Sequence, residues 1–473
     1  MLRATSRGAR PCKRVCARRF ACTFAAILAI AGSACGRRDR SPAPHDAFTI
    51  YVLGGSVALG HPYEPQVDFG RLVSLSFDGH VGGRPIQVEN VAGKGKSASV
   101  CVDDAHRIAK QPAERGRAAA FVYIGNNEFI AYERKPDLRR QSPRALFDVP
   151  LVTASEREYV YARGRAALTE IITSLRAANI KPIVSAVAVN AADWEPHRSV
   201  LENPLNAAAV RAALDAGEAA LHAGDPGRAL SHFNAALDLE PRFALACKRA
   251  GDCCRALGEI DRARTFYQRA IDCDGGPYRD TSEQNRIVQE VCAAHQVAMV
   301  DAPAILAAAS ADGVIGWNFM WDNCHPTLDG YRRIAAGLAA AMAAHFEVRE
   351  RRQPSLDEIV QALGVDSSVT RQAYHVAGQY CYRAALLGFD GRARLDRSQQ
   401  YLLHAASLGA EDADITCSLA VLALIENDAP RALEAWRRAW QLDARVARER
   451  SGHRYVMQLL ESRGLESAVA ELR

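Results

Sequence analysis

The sequence is short of several features that define common functional classes. Its 13 cysteines include no C-x-x-C pair with a matching second pair, which argues against a structural zinc site. Aromatic residues make up only 7% of the chain, while alanine and arginine are abundant, and this balance favours helices. The apolar run near the N-terminus is shorter than the ~20 residues that span a bilayer comfortably. At 473 residues the chain is too long for one compact core, so we expect two or three domains.

The first 34 residues have the pattern of a secretory leader. Seven basic residues and no acid precede an apolar run from residue 20 to about residue 31, and three small residues and Cys35 follow. This arrangement predicts a signal sequence and export to the periplasm or cell envelope, with residues 1–46 as leader and tether. Cys35 resembles the lipidated cysteine of a bacterial lipobox, although Gly32 stands where leucine is usual. A membrane tether through Cys35, an uncleaved anchor and plain secretion therefore stay open.

The charge balance gives no indication of nucleic-acid binding. The formal net charge is +5, but the leader alone carries seven basic residues, so the remainder has a net charge of about −2. We therefore expect no nucleic-acid partner. Nine scattered cysteines remain outside the leader, and a disulfide within residues 247–273 is an open alternative because exported proteins form such bonds.

Residues 47–206 alternate between apolar strands and amphipathic helices. The first strand ends in the glycines that follow Leu53, and buried-strand composition recurs further on. The other predicted strands are Pro85–Val91, Ala118–Ile124 and Ile180–Val189, and the predicted helices are Val100–Gln111 and Tyr159–Ala178. This alternation predicts a parallel sheet covered by helices on both faces, a three-layer α/β/α fold. In such a sheet the functional residues lie at the carboxyl ends of the strands.

Residues 207–275 carry an internal repeat. A glycine, an alanine, an aromatic residue and an alanine recur at spacings of 12, 4 and 3, and the set repeats after 34 residues. The two sets are Gly217, Ala229, Phe233, Ala236 and Gly251, Ala263, Tyr267, Ala270. Small residues let paired helices pack closely while the aromatic ring fills the groove, which is the tetratricopeptide pattern. Two repeats are fewer than a free-standing array needs, so we expect the pair to lean on the surrounding domain.

The α/β pattern resumes after the repeats, which are therefore predicted to be an insertion. Residues 276–350 are expected to contain a helix at Ser282–His295, a strand at Val297–Asp301 and a helix at Tyr331–Phe346. They would complete the sheet that residues 47–206 begin.

Residues 351–473 are predicted to form an all-helical repeat domain. The 12, 4, 3 spacing returns once more in this region, at Ala420, Ala432, Trp436 and Ala439. Ala373–Leu387 and Ser398–Leu408 are predicted to form a further, degenerate helix pair.

Four short segments stand after predicted strands or before the last helix of the α/β part. In chain order they are Gly54-Gly55-Ser56, the segment from Asn90 to Ser97, Gly125-Asn126-Asn127-Glu128 and Asp322-Asn323-Cys324-His325-Pro326. This set, in this order, resembles the SGNH hydrolase family of GDSL-type lipases and esterases, over residues 47–205 and 276–348. Inserted tetratricopeptide repeats and a third motif that reads G-N-N-E-F resemble a bacterial subgroup of that family. The resemblance implies a flavodoxin-like α/β fold and a serine hydrolase.

The resemblance also implies roles for five residues. Ser56 would be the nucleophile, His325 the base that takes its proton, and Asp322 the carboxylate that orients the imidazole. The oxyanion of the transition state would be held by the N–H groups of Ser56 and Gly95 and by the side chain of Asn127. No metal and no cofactor are implied.

Some positions within the motifs depart from the family or have simpler explanations. Gly55 and Glu128 stand where aspartate is usual, and neither position is catalytic in the family. Gly93 is a rival to Gly95, which is preferred because it lies five residues after the asparagine that begins the motif. Asn127 on its own would more often cap the next segment through its side chain.

Several residues in and around the motifs have alternative roles. Asp193 is a weak rival to Asp322 for orienting the imidazole, and the loop from Trp194 to His197 lies where pocket walls usually form. Lys94 and Lys96 are expected to be solvated loop charges, with attraction of an anionic substrate as the alternative. Arg279 and Asn285 are expected to bridge domains rather than to line a pocket.

Two classes of function follow from these patterns. The first is an exported serine esterase or deacylase that acts on a small-molecule or carbohydrate ester and binds a protein partner or a polymer through its helical repeats. The second is a catalytically silent scaffold that acts through the repeats, and transfer of the acyl group to a sugar would use the same residues as hydrolysis. The co-occurrence of Ser56, Asn127, Asp322 and His325 favours the first, because a decayed enzyme would be expected to lack at least one of them.

Overall fold

The computed structural model describes residues 46–110, 113–114, 116–129, 152–349, 352–386 and 392–449. The predicted signal sequence, the candidate tether at Cys35 and the last 24 residues of the predicted C-terminal domain lie outside this part of the chain.

A six-stranded sheet forms the centre of the α/β domain. Its strands are β1 (Phe48–Gly54), β2 (His80–Val81), β3 (Arg84–Asn90), β4 (Ala118–Tyr123), β5 (Lys181–Ala186) and β6 (Ala298–Asp301). The strand order is β2-β3-β1-β4-β5-β6, and every neighbouring pair is parallel except β2 with β3. The five parallel strands follow the 2-1-3-4-5 order of flavodoxin-like folds, which confirms the predicted fold class.

Helices cover both faces of the sheet and make up the two repeat regions. Those of the α/β domain are α1 (Ser56–Leu59), α2 (Phe69–Ser76), α3 (Ala98–Ala109), α4 (Ala154–Ala177), α9 (Ser282–Ala294), α10 (Ala302–Ala309) and α11 (Leu328–Phe346). The inserted repeats are α5 (Ala207–His222), α6 (Pro226–Leu239), α7 (Ala244–Ala256) and α8 (Ile260–Asp272). The C-terminal helices are α12 (Leu356–Leu363), α13 (Ser367–Leu386), α14 (Arg392–Ser407), α15 (Ala413–Ile425), α16 (Ala429–Leu442) and α17 (Ala444–Glu449).

Strand β4 shows why the sheet must be covered on both sides. All six of its residues are buried, and alternate side chains point to opposite faces. Ala119, Phe121 and Tyr123 join the apolar cluster that includes α2 and α11, whereas Ala120 and Val122 join the cluster that includes α3, α4 and α9. A strand that is apolar on both faces is stable only in the middle of a three-layer fold.

Several element boundaries differ from those predicted from hydrophobic periodicity. Helix α4 begins five residues before the predicted start because Thr153 and Glu156 form a capping box there. Helix α11 begins three residues early, where the side chain of Thr327 accepts the N–H of Gly330. Strand β5 ends at Ala186 rather than Val189, because the side chain of Asn285 hydrogen-bonds to both the N–H and the carbonyl oxygen of Val187. The short elements α2, α10 and β2 were not predicted.

The inserted repeats form two helix pairs that lean on the α/β domain. A Cβ atom on Gly217 would lie 2.6 Å from the ring of Phe233, and one on Gly251 would lie 2.7 Å from the ring of Tyr267, so glycine permits this close approach. Arg249 of α7 pairs with Glu195 of the α/β domain at 2.7 Å. The inserted repeats therefore contact the α/β domain, and their reliance on it for stability stays a prediction.

The C-terminal helices also pack as pairs. Ala420, Ala432, Trp436 and Ala439, the residues with the repeat spacing, are all buried between α15 and α16. The domain contacts the α/β part through Trp321, whose ring lies 4.8 Å from that of Tyr374 and 5.2 Å from that of Tyr401. Both helical regions thus contact the α/β domain, and both reach Glu195.

Two further observations concern the membrane and the cysteines. In the described parts of the chain, no helix combines the length and the apolar composition that crossing a membrane requires. The nine cysteines outside the leader are free thiols, and those of Cys247 and Cys273 are in hydrogen-bond contact. The disulfide left open within residues 247–273 is therefore not formed here.

Candidate active site

Ser56 lies where strand β1 turns into helix α1. Gly54 has φ +151°, and a Cβ atom on it would collide with the carbonyl oxygen of Tyr123, so this end of the strand requires glycine. Ser56 is the first residue of α1 and stays partly exposed at the carboxyl edge of the sheet. The turn therefore presents the hydroxyl outward from the central strand.

Ser56, His325 and Asp322 form a continuous chain of hydrogen bonds. The Ser56 Oγ lies 2.7 Å from the His325 Nε2, and the His325 Nδ1 lies 2.7 Å from the Asp322 Oδ2. The other carboxylate oxygen of Asp322 accepts the backbone N–H groups of Cys324 and His325, both at 2.9 Å, so the carboxylate is fixed in its own loop. With a proton on Nδ1 donated to Asp322, the Nε2 lone pair faces the serine hydroxyl and can accept its proton.

The electrostatics of this chain suit a general base. Burial alone would lower the pKa of His325, but the neighbouring carboxylate of Asp322 outweighs it and holds that pKa well above its ordinary value. Burial would likewise raise the pKa of Asp322, yet the imidazole and two backbone N–H groups hold it below its ordinary value. Asp322 is thus ionised beside an imidazole that readily takes a proton.

The glycine-rich second motif contains two candidate oxyanion donors, which the structure distinguishes. The Gly93 N–H donates to the Gly54 carbonyl oxygen at 3.1 Å and is therefore occupied. Gly95 has φ +71°, and its N–H meets no acceptor among the described residues. The motif is held against α1 by Asn90, whose side-chain amide donates to the Ala58 carbonyl oxygen at 3.1 Å. Gly95 is the better candidate donor because the Gly93 N–H is already occupied. The contact of Asn90 with Ala58 gives Asn90 a positioning role that its motif alone did not indicate.

Asn127 lies beside the nucleophile turn. Its Nδ2 donates to the Lys96 carbonyl oxygen at 3.0 Å and packs directly over Gly55. One amide hydrogen of Asn127 is thereby used to fix the side chain, and the second is free to serve as a donor. The neighbouring Glu128 instead accepts the N–H of Ala98 at 2.8 Å, and burial raises the pKa of its carboxyl to about 7.

Asp193 and the two lysines of the second motif have structural partners. Asp193 accepts the N–H of Trp317 at 2.8 Å and pairs with Arg255, away from the imidazole. The two lysines keep contact with solvent, with 43% of the Lys94 side chain and 26% of the Lys96 side chain exposed, but each also has an acidic partner. Lys94 pairs with Glu64 at 2.6 Å, and Lys96 reaches Asp104 at 2.5 Å, because acidic side chains lie within reach of both.

Residues that flank the inserted repeats in the sequence make structural contacts. Trp194 donates its indole N–H to the Nε2 of His197 at 3.0 Å, and both side chains lie in the interior rather than in a pocket wall. Arg279 donates to the carbonyl oxygens of Asn190 and Trp194, at 2.8 and 2.7 Å. Asn285 bonds both backbone groups of Val187, at 2.7 Å to its N–H and 3.0 Å to its carbonyl oxygen. These contacts of Arg279 and Asn285 join two segments of the α/β domain, whereas contacts between domains were expected.

Sequence reasoning missed two further residues that lie against the imidazole of His325. The ring of His61 meets that of His325 edge-on, with centroids 4.7 Å apart, and its Nδ1 lies 3.1 Å from Glu64. Burial lowers the pKa of His61, so this ring is neutral at ordinary pH. The ring of Tyr380, from helix α13, lies 5.2 Å from His325 on another side. Neither residue belongs to a motif, and only the folded chain brings them to the site.

The buried polar cluster can also be tested for metal binding. Ligand atoms of Asp322, Cys324 and His325 all lie within 4.8 Å of one another. Both ring nitrogens of His325 are already directed at Ser56 and Asp322, at 2.7 Å each. These donors are therefore arranged for proton transfer along the chain rather than around a common cation.

Comparisons with known proteins add similarities to this geometry. The tetratricopeptide repeat family matches residues 220–279. Similar solved structures include a member of the lipolytic protein G-D-S-L family from Veillonella parvula DSM 2008, with 13% identity, 62% of this chain and 97% of that chain covered, and a TM-score of 0.31. No curated protein sequence matches the chain.

Two other similar structures have comparable scores. The protein TesA has 11% identity, with 63% of this chain and 98% of that chain covered and a TM-score of 0.31. A catalytic mutant of an acetylxylan esterase from Geobacillus stearothermophilus has 11% identity, with 65% of this chain and 98% of that chain covered and a TM-score of 0.31. These TM-scores are low, so the fold assignment rests on the strand order. The chain resembles the SGNH hydrolases and carries tetratricopeptide repeats.

Proposed function

We propose that the protein is an exported serine esterase or deacylase. The observation that carries this proposal is the chain of two 2.7 Å hydrogen bonds that joins Ser56 to His325 and His325 to Asp322. The structure brings a hydroxyl, an imidazole and a carboxylate from distant parts of the sequence into the order that activates an alcohol as a nucleophile.

The proposed reaction has two halves. The Ser56 Oγ attacks the ester carbonyl carbon while the His325 Nε2 takes the hydroxyl proton, and the proton then passes to the departing alcohol as the C–O bond breaks. Water enters, gives its proton to His325 and attacks the acyl-serine, which releases the acid and restores the hydroxyl. In both halves the N–H groups of Ser56 and Gly95 and the amide of Asn127 stabilise the oxyanion.

The inserted and C-terminal repeats add a proposed binding role. Tetratricopeptide repeats are stacks of helix pairs with extended surfaces that suit protein partners. Leu205 and Leu239 are exposed at the edge of the inserted repeats, where the Asn206 side chain joins the two segments through the Leu239 carbonyl oxygen. We place the protein partner at this edge, and we place the ester substrate, a small molecule or a carbohydrate, at Ser56.

Labelling with a fluorophosphonate probe tests the proposed chemistry. Such probes react with a serine only when a base activates its hydroxyl. The full-length protein is expected to label, Ser56→Ala is expected not to label, and the exposed helical control Ser155→Ala is expected to label like the original protein. Failure of the well-folded protein to label would favour the catalytically silent scaffold.

Export and tethering have a separate test. In bacterial cells we expect a mature protein that has lost its leader and fractionates with the envelope. Cys35→Ala should release it into the soluble periplasmic fraction if Cys35 is lipidated. An unprocessed N-terminus found by mass spectrometry would contradict export through a cleaved signal.

A further inference from the structure

One feature of the site comes from the part of the chain that no hydrolase motif covers. Tyr380 lies on helix α13 of the C-terminal repeats, yet its ring centroid is 5.2 Å from that of His325 and 6.3 Å from that of His61. His325 and Asp322 are almost completely buried, whereas 36% of Tyr380 is exposed. A partly exposed aromatic residue therefore lies against the buried imidazole that Ser56 contacts.

The position of this ring is tied to the catalytic loop. Neighbouring residues of α13, Ala377 and Cys381, are buried, so the helix is anchored around Tyr380. Tyr374 of the same helix contacts Trp321, the residue before Asp322, with ring centroids 4.8 Å apart. The Trp321 indole N–H in turn donates to the Tyr63 hydroxyl at 2.9 Å. Tyr380 is thus a fixed part of the wall at the site rather than a mobile surface side chain.

The surroundings of Tyr380 indicate the kind of substrate that it contacts. Polar side chains also lie around the site. The Asn127 amide packs over Gly55, next to Ser56, and the His61 ring lies against His325. Glu64 links His61 to Lys94. One aromatic face among polar groups suits a substrate with an apolar ring face and hydroxyl groups around its rim. The C–H face of a sugar ring would stack on the tyrosine, and its hydroxyl groups would hydrogen-bond to the polar rim.

We propose that Tyr380 is a specificity-determining residue that stacks on the sugar ring of a carbohydrate ester held at Ser56. The C-terminal repeats then complete the active site, because they supply the wall on which the alcohol part of the ester rests. This proposal rests on the proposed esterase function and narrows its substrate class.

Binding to an inactive protein tests the proposal independently of turnover. In full-length Ser56→Ala protein, calorimetric titration with an O-acetylated methyl glycoside should show binding, and adding Tyr380→Ala should weaken it about tenfold, the size of a lost aromatic contact. Tyr380→Phe keeps the ring and should bind as before. Leu403→Ala, an exposed apolar residue on α14, serves as the matched control and should have no effect. No binding by the Ser56→Ala protein, or equal binding with Tyr380→Ala, would overturn the proposal.

Kinetics separate stacking from a merely structural role. With the same acetyl group on a sugar and on ethanol, Tyr380→Ala should raise KM for the acetylated sugar about tenfold and leave kcat/KM for ethyl acetate within about twofold. An equal loss on both esters would mean that Tyr380 only supports His325 and would overturn the proposal. A loss restricted to esters with long acyl chains would also overturn it, because it would place the ring in an acyl pocket.

If the esterase proposal is wrong, the results will differ from those expected if only the stacking role of Tyr380 is wrong. In that case the unmodified protein would not label with a fluorophosphonate and would hydrolyse neither ester, whatever residue stands at position 380. The titration with Ser56→Ala protein would still report whether the ring binds a sugar.

Discussion

Gly55 lies next to the proposed nucleophile, Ser56, and in contact with Asn127 of the proposed oxyanion site. It stands where the SGNH family usually has aspartate, and its φ of −82° is open to any residue. A Cβ atom on Gly55 would, however, collide with the Nδ2 of Asn127, which packs directly over it. The close contact explains why this chain has glycine here, since a larger side chain would displace the amide.

The contact leads to a prediction for Gly55→Ala. The fold should be unaffected, but kcat should fall by roughly 10- to 100-fold with little change in KM, because Asn127 is pushed away from the developing oxyanion. Asn127→Ala alone should lower kcat by about 100-fold or more. The double variant should have a kcat no lower than that of Asn127→Ala. Steady-state kinetics of the three variants check this, with Gly164→Ala, where nothing lies within 4 Å, as control. Additive losses would show that the two residues act separately.

The Asp322–His325 pair leads to a prediction about pH. A general base must be neutral, and the carboxylate of Asp322 holds the pKa of His325 above its ordinary value. The acidic limb of the kcat/KM profile should therefore lie above pH ~6.5, with activity lost as the pH falls through it. Asp322→Asn removes the charge that raises the pKa, so the limb should move to lower pH while the plateau falls. An unmoved limb in Asp322→Asn would mean that another group controls the profile.

The strands and helices differ in how well the sequence predicts them. β1 and β4 were predicted because their apolar residues are continuous, and a strand buried on both faces has that composition. The short helices α2 and α10 were missed because one or two turns give too few residues for a clear period. His61 and Tyr380 were missed for a different reason, since their contacts with His325 depend on tertiary packing and leave no local pattern.

In the inserted helix pairs, glycine-to-alanine substitutions at two positions should have opposite effects on stability. Gly217→Ala places a methyl group 2.6 Å from the ring of Phe233 and should destabilise the protein by about 1–3 kcal/mol, as overpacking does. Gly227→Ala, in the next helix, has its nearest neighbour at 3.7 Å and should be neutral or stabilise by up to about 1 kcal/mol, because alanine favours a helix. Thermal unfolding of both variants checks this, and a loss of stability in Gly227→Ala alone would contradict the packing described.

At the scale of the whole molecule, both helical regions contact the loops that carry the catalytic base. The Asn190 N–H donates to the Asn323 carbonyl oxygen at 3.0 Å, so the loop after β5 holds the loop of Asp322 and His325. Asp193, in the same loop, is held in turn by Arg255 of the inserted repeats. Trp321, the residue before Asp322, packs against Tyr374 and Tyr401 of the C-terminal helices. The repeats therefore contact the loops of the site, in addition to their proposed binding role.

Arg255 is the residue through which the inserted repeats reach this system. It contacts Asp193 at 3.1 Å and Asp312 at 2.7 Å, and Asp193 also accepts the N–H of Trp317 at 2.8 Å. Arg255→Ala leaves the two carboxylates without their shared cation, and the pairs are partly exposed, so the loss of stability should be about 1 kcal/mol. The larger effect should be local, because the loops before His325 lose a common anchor.

Amide hydrogen exchange of the full-length protein can detect this local effect. Arg255→Ala should speed exchange in the peptide that contains Asn323, Cys324 and His325, and kcat should fall several-fold while Ser56 still labels with a fluorophosphonate. Arg262→Ala removes a cation of the next helix that, among the described residues, is ion-paired with Glu259 of its own turn alone, and it should change neither quantity. If exchange near His325 is the same in both variants, the inserted repeats do not support the catalytic loop, and their role must be limited to binding at their outer edge.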